Sequence, residues 1–91
     1  MEITFANKGA YHYLIDKQGI VSKGKCRRKK EIVIRLEQNY DLLPPSKIFW
    51  DSLILLLNRL FETHSIGWEE VLVENTGKNL KVLLENHRQR A

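Results

Sequence analysis

The sequence predicts an α+β fold, in which a small mixed sheet of three to four strands, including a hairpin, packs against one long helix and a C-terminal helix. Three observations predict this class. Residues 11–15 and 20–23 are rich in aromatic and β-branched side chains and flank a glycine-containing turn, which is typical of a hairpin. Residues 31–37 alternate with the two-residue period of a strand. Residues 48–62 repeat apolar side chains with the period of a helix.

Length and composition predict one soluble domain spanning residues 1–91. An apolar fraction of 43% and a charged fraction of 29% are ordinary for a folded globule. The longest apolar run, residues 53–57, is far shorter than the ~20 residues that cross a bilayer, so no membrane partner is expected. The single cysteine, Cys26, excludes an internal disulfide framework. Because no signal peptide is visible either, the expected location is the cytoplasm.

The strands are predicted from turn residues and alternation. Gly19 supplies the positive φ that closes a short hairpin between residues 11–15 and 20–23. Residues 3–5 are expected to add an edge strand. Within the strand over residues 31–37, two sets of side chains point to opposite faces of the sheet. The core face carries Ile32, Ile34 and Leu36, and the mostly solvated face carries Val33, Arg35 and Glu37.

The helices are predicted from caps and periodicity. Proline is tolerated in a first helical turn, so Pro44, Pro45 and Ser46 mark the start of the long helix. Residues 69–73 fit either a short strand or a helical turn, and the pattern does not decide between them. Asn79 is expected to cap the last helix. That helix places four side chains on one face: Leu80, Leu83, Leu84 and His87.

A run of cations gives the chain most of its formal charge of +4, and without it acidic residues would outnumber basic ones. Such a run could bind phosphate groups or an anionic polymer. The alternative is a solvated loop that keeps a small protein soluble. A nucleic-acid partner is the less expected one, since no aromatic residue lies within the run to stack on bases. The candidate anion-binding residues are Lys23, Lys25, Arg27, Arg28, Lys29 and Lys30.

The stretch YHYLIDKQGIV at residues 11–21, followed by Gly24, resembles the zinc-dependent N-acetylmuramoyl-L-alanine amidases. That family is shared with phage lysozyme-type amidases and peptidoglycan recognition proteins. Residues 31–36 are similar to its core strand, and PPSK at residues 44–47 stands where its long helix begins. KNLKVLL at residues 78–84 resembles its closing helix. The resemblance covers most of the chain from Gly9 to about Glu85.

The zinc ligands of that family are missing from this sequence. The resemblance places one ligand on a strand well upstream of residue 11 and two between the long helix and the last one, and residues 1–10 contain no histidine. The matching positions of the later pair fall near Trp68 and Glu69 and near Thr76 and Gly77. None of the remaining candidates has the close spacing that puts two ligands on one helical face, so no metal or other cofactor is expected. Those candidates are His12, His64, His87 and Cys26.

The resemblance therefore implies a truncated, amidase-like domain without hydrolase activity, either a module that binds peptidoglycan fragments or a bacterial or phage-derived remnant. By resemblance, Tyr11 stands where the family steadies an oxyanion beside the zinc; alternatively, it only packs the sheet. A second hypothesis is an active amidase whose missing ligands come from another chain. The wide apolar helix face from Phe49 to Phe61 also predicts a homodimer formed through that face.

Overall fold

The computed structural model describes residues 1–90 and confirms the predicted α+β class. Four strands form one mixed sheet in the order β1-β4-β2-β3. Strand β4 lies between β1 and β2 and pairs in parallel with both, while β2 and β3 form the predicted antiparallel hairpin. The strands are β1 (Glu2–Ala6), β2 (Tyr13–Ile15), β3 (Val21–Lys23) and β4 (Glu31–Leu36).

The parallel pairing gives the sheet two chemically different edges. The carboxyl ends of β1, β2 and β4 lie together at one edge, which we name the carboxyl edge, and their amino ends lie at the opposite one, the amino edge. Strand β3 runs the other way, so its last residue, Lys23, belongs to the amino edge. Each edge is therefore built from residues that are distant in sequence.

Two helices and one short turn follow the sheet: α1 (Lys47–His64), a 3-10 turn (Trp68–Glu70) and α2 (Lys78–Arg90). The predicted start of α1 is confirmed, but Pro44 and Pro45 precede the helix and do not lie in its first turn. Ser46 is the N-cap, and its Oγ accepts the main-chain N–H of Phe49 at 3.2 Å. Among residues 1–90, no helix has the length and apolar character needed to span a membrane.

A single hydrophobic core joins both helices to one face of the sheet. The α1 side chains Phe49, Leu53 and Leu57 are completely buried in it. Trp50 and Phe61 are partly buried at its margin. The apolar face assigned to a homodimer is thus largely covered within the chain itself, and dimerisation stays a prediction.

The structure differs from the prediction at β2. Regular strand geometry begins at Tyr13 and not at Tyr11. The His12 main-chain N–H still bonds the Val33 carbonyl at 3.0 Å, but the Val33 N–H donates to the His12 imidazole and not to a main-chain carbonyl. Val33 itself is only 3% exposed, although its face was expected to be mostly solvated. The His12 ring holds the following basic segment close to this position, as described below.

Two later elements also differ in detail. After the 3-10 turn, Val71 forms an isolated parallel bridge with Ile3 of β1, so the undecided segment contains both a helical turn and a strand contact. Asn79 was predicted to cap α2, but it lies inside the first turn. The Lys78 N–H is bonded instead by the Asp41 carboxylate from the loop after β4, a partner that local sequence does not reveal.

Candidate functional site

A polar cavity of about 450 Å³ lies at the carboxyl edge, where β1 and β4 end and α2 begins. We name it the carboxyl-edge cavity. Its position follows a general rule of parallel sheets, in which ligands bind outside the carboxyl ends of the strands. The polar side chains around it are Asn7, Asn39, Asp41, Glu74, Asn75, Thr76, Lys78 and Lys81.

The wall formed by the loop after β4 is fixed to the start of α2. The Asp41 carboxylate accepts the Lys78 N–H at 2.8 Å, and the Tyr40 carbonyl accepts the Asn79 N–H at 2.9 Å. A carboxylate at a helix N-terminus is also favoured by the helix dipole. Gly77, at φ 91°, permits this approach, because a Cβ there would overlap the Tyr40 main chain. These contacts hold the cavity in shape without a ligand.

The opposite wall is a tight turn tied to β1. The Thr76 hydroxyl is buried and donates to the Val73 carbonyl at 2.8 Å, which closes the turn. Asn75 has the left-handed φ of 63° that asparagine tolerates better than most residues. Its side-chain amide donates to the Phe5 carbonyl at 3.5 Å. The turn is thereby held beside the end of β1.

The functional groups at this cavity suit a ligand that contains amides and carboxylates. Asparagine amides both donate and accept hydrogen bonds, as a peptide group does. The ammonium groups of Lys78 and Lys81 provide positive charge beside Glu74. The Asp41 carboxylate is already bonded to α2, so its capacity for a ligand is reduced. The site is equipped for recognition by hydrogen bonds and charge.

The same residues do not fit a zinc ion. Structural and catalytic zinc sites need about three nitrogen, sulfur or carboxylate ligands converging on one point. Within residues 1–90, no three His, Cys, Asp or Glu side chains are grouped closely enough to hold a metal. Of the two pairs of positions that match the family's later ligands, Thr76 and Gly77 line the cavity, whereas Trp68 and Glu69 do not.

A second cavity, of about 320 Å³, lies at the amino edge, and we name it the amino-edge cavity. Three of the six predicted anion-binding residues line it, namely Lys23, Arg28 and Lys29. The other three, Lys25, Arg27 and Lys30, do not line it, and all six side chains are exposed to solvent. Its remaining lining residues are Met1, His12, Tyr13, Gly24, Glu31, Ile32 and His64.

His12 connects the basic segment to the sheet through both ring nitrogens. Nδ1 accepts the Val33 N–H at 2.9 Å, and Nε2 lies 3.0 Å from the Arg28 carbonyl oxygen. A main-chain N–H can only donate and a carbonyl can only accept. These partners assign a neutral imidazole with its proton on Nε2. The ring therefore acts as a structural bridge and not as a free base.

Arg28 is held further by Glu31. The Arg28 guanidinium bonds the Glu31 carboxylate, whose other oxygen accepts the Thr4 hydroxyl at 3.1 Å. The hydrogen bond from Arg28 is the main reason that the pKa of Glu31 lies below its ordinary value, and the Thr4 bond acts in the same direction. Burial of the Glu31 carboxylate acts in the opposite direction and raises its pKa. The pair is a local contact between residues three apart, and the Arg28 side chain remains 66% exposed.

Tyr11 lines neither of these two cavities. Its ring packs against Gly24, where an added Cβ would overlap it. The guanidinium carbon of Arg35 lies 5.8 Å from the ring centroid, within the range of a cation–π contact. These contacts are those of a packing residue, and the role of Tyr11 beside an oxyanion stays a prediction.

The carboxyl-edge residues were not predicted from the sequence as a binding site. A signal was present, because Asn7 directly follows β1 and Asn39 follows β4 closely, and polar residues at those positions meet at one edge of a parallel sheet. This signal is readable only once β1 is known to pair in parallel with β4.

Comparison with protein-family models, curated proteins and solved structures found no match.

Proposed function

We propose that this chain is a non-hydrolytic, amidase-like domain that binds peptide fragments of peptidoglycan in the carboxyl-edge cavity. The observation that carries the proposal is that three asparagines and two lysines line one cavity together with two carboxylates, the Asn75 amide being already bonded to the Phe5 carbonyl. Peptidoglycan peptides present many amide groups together with free carboxylates. Asparagine side chains can exchange hydrogen bonds with the ligand's amide groups, and lysine ammonium groups can bind its carboxylates.

The resemblance to the amidase family supports the choice of ligand class. That family places two of its metal ligands in the segment between its long helix and its last one. In this chain the segment between α1 and α2 reaches the carboxyl-edge cavity, but it brings Glu74 and Asn75 to it, and Asn7 reaches the same cavity from the end of β1. Amide hydrolysis by the family's route requires a metal that acidifies water. A site that keeps the position and loses the metal-binding groups would retain binding without cleavage.

The decisive experiment is a titration of ¹⁵N-labelled protein with muramyl dipeptide, followed by two-dimensional NMR. We expect amide shifts at Asn7, Asn75 and Lys81. The variants Asn7→Ala and Lys81→Ala should each weaken binding about fivefold, which corresponds to about 1 kcal/mol for one hydrogen bond. Lys17→Ala is the matched control, because it removes the same charge from the exposed hairpin turn, away from both cavities.

Mass spectrometry of the ligand after prolonged incubation tests the second part of the proposal. The dipeptide should be recovered intact, with or without added zinc. Cleavage between the muramyl group and the first amino acid would contradict a non-hydrolytic function. Equal binding by all three variants, or no shifts at millimolar ligand, would contradict recognition at the carboxyl-edge cavity.

A further inference from the structure

We propose that the amino-edge cavity is a second site, which binds a small phosphate monoester carrying an apolar or aromatic group. This inference does not depend on the function proposed above, since it concerns the opposite edge of the sheet. It rests on three features of the cavity: convergent cations, an apolar wall and a frame that is fixed by hydrogen bonds.

The cations come together from two parts of the chain. Lys23 ends β3, whereas Arg28 and Lys29 belong to the segment that precedes β4. Glu31 is the one carboxylate among the lining residues, and the Arg28 guanidinium bonds it. A guanidinium has five N–H donors, so Arg28 can bond both Glu31 and a ligand oxygen. The cavity keeps a net positive charge, which suits a dianionic phosphate group.

The apolar wall favours an organic phosphate over the inorganic ion. Tyr13 and Ile32 line the cavity beside the cations, and Met1 adds a thioether side chain. A volume of about 320 Å³ is at the lower end of the range for small-molecule sites, roughly 300–1,000 Å³. If the phosphate group is bound by Lys23 and Lys29, the apolar wall is free to contact the organic group that is esterified to the phosphate.

The frame of the cavity is already in place. His12 bonds the Arg28 carbonyl at 3.0 Å and the Val33 N–H at 2.9 Å, so the basic segment is attached to the central strand. The Arg28–Glu31 pair adds a second attachment. Binding is stronger when less flexible chain must be ordered. A pre-formed pocket is also the feature that distinguishes a small-ligand site from a loose cationic loop.

The distribution of the six cations separates this proposal from binding of an anionic polymer. A polymer would contact Lys25, Arg27 and Lys30 outside the cavity as readily as the three residues within it. Binding would then depend on the number of charges and not on their position. Binding of a monoester would depend on Lys23 and Lys29 and hardly on the cations outside the cavity.

Two double variants with the same loss of charge test this difference. Lys23→Ala with Lys29→Ala removes two lysines from the cavity, and Lys25→Ala with Lys30→Ala removes two from outside it. Binding of adenosine monophosphate, inorganic phosphate and a single-stranded oligonucleotide is measured by isothermal titration calorimetry at fixed salt. Circular dichroism establishes that both variants are folded.

We expect adenosine monophosphate to bind at least about tenfold more weakly to the cavity variant and within about twofold of wild type to the outer variant. Inorganic phosphate should bind wild type more weakly than the nucleotide does. The proposal is overturned if both variants weaken nucleotide binding equally, or if only the oligonucleotide binds. It is also overturned if phosphate alone binds as tightly as the nucleotide, since the apolar wall would then contribute nothing.

Discussion

The imidazole of His12 accepts the main-chain N–H of Val33 at 2.9 Å, twenty-one residues away in sequence. The same ring bonds the Arg28 carbonyl, so one side chain joins β4 to the basic segment. Regular strand geometry in β2 begins at the next residue, Tyr13. One histidine side chain thus bonds both the central strand and the segment that lines the amino-edge cavity.

Replacing His12 should destabilise the fold. In His12→Ala the Val33 N–H, in a residue only 3% exposed, would lose its acceptor, and an unsatisfied buried donor costs about 1–3 kcal/mol. The measurement is the free energy of unfolding from urea denaturation. His64→Ala is the control, since that ring is exposed, and it should change stability by less than about 0.5 kcal/mol. Equal values for the two variants would contradict the bridging role of His12.

Removing the Asp41 carboxylate should weaken the start of α2. Asp41→Ala leaves the Lys78 N–H without its acceptor and should cost about 1 kcal/mol, the usual value for a lost helix cap. Asp51→Ala is the control, because its exposed pair with Lys47 contributes little. Hydrogen exchange should accelerate in the first turn of α2 in Asp41→Ala only. Unchanged exchange there would show that the cap does not stabilise the helix.

Two leucines of α1 test how its apolar face is used. Leu57 is completely buried, whereas Leu55 is 54% exposed on the same helix. Leu57→Ala should lower the free energy of unfolding by about 3–5 kcal/mol, and Leu55→Ala by less than about 1 kcal/mol. Denaturation over a range of protein concentrations measures both. A large, concentration-dependent loss in Leu55→Ala would instead indicate that the exposed side of α1 forms a dimer.

Local patterns in the sequence predicted most of the fold. Gly19 and its flanking strands predicted the hairpin, and Ser46 with two prolines predicted the start of α1, because these signals act between residues close in sequence. On the apolar face predicted from Phe49 to Phe61, Trp50, Ile54 and Phe61 are only partly buried. The fully buried residues of α1 are Phe49, Leu53, Leu56, Leu57 and Leu60.

The features that were missed depend on contacts between distant segments. The Asp41 carboxylate accepts the N–H of Lys78, thirty-seven residues away, and the His12 ring accepts the N–H of Val33, twenty-one residues away. Neither contact has a local signature. The carboxyl-edge cavity needs two contacts with β1: its pairing with β4, and the bridge from Val71 to Ile3 that continues to the hydrogen bond of Asn75 with the Phe5 carbonyl. By contrast, the basic residues were visible as a run, but only the fold separates Lys23 and Lys29 from Lys25 and Lys30.

Tyr40 gives the fold a dependence on alkaline pH. Its ring is 2% exposed and packs against Phe49, with centroids 4.8 Å apart. Burial raises the pKa of the Tyr40 phenol above its ordinary value of 10.0, and the nearby Glu37 and Asp16 carboxylates act in the same direction, while a hydrogen bond from Gln38 opposes them. The unfolded chain therefore loses this proton at a lower pH than the folded chain does.

The sign of the effect follows from that difference. Below about pH 10 both states keep the Tyr40 proton, and its contribution to stability is complete; as pH rises through the higher pKa of the folded state, ionisation favours the unfolded chain. The free energy of unfolding should decrease above pH 10 in wild type. Tyr40→Phe should reduce that decrease, and Tyr11→Phe should preserve it because Tyr40 is still present. Urea denaturation between pH 8 and about pH 11 measures the slope, and identical slopes for wild type and Tyr40→Phe would contradict this role for the phenol.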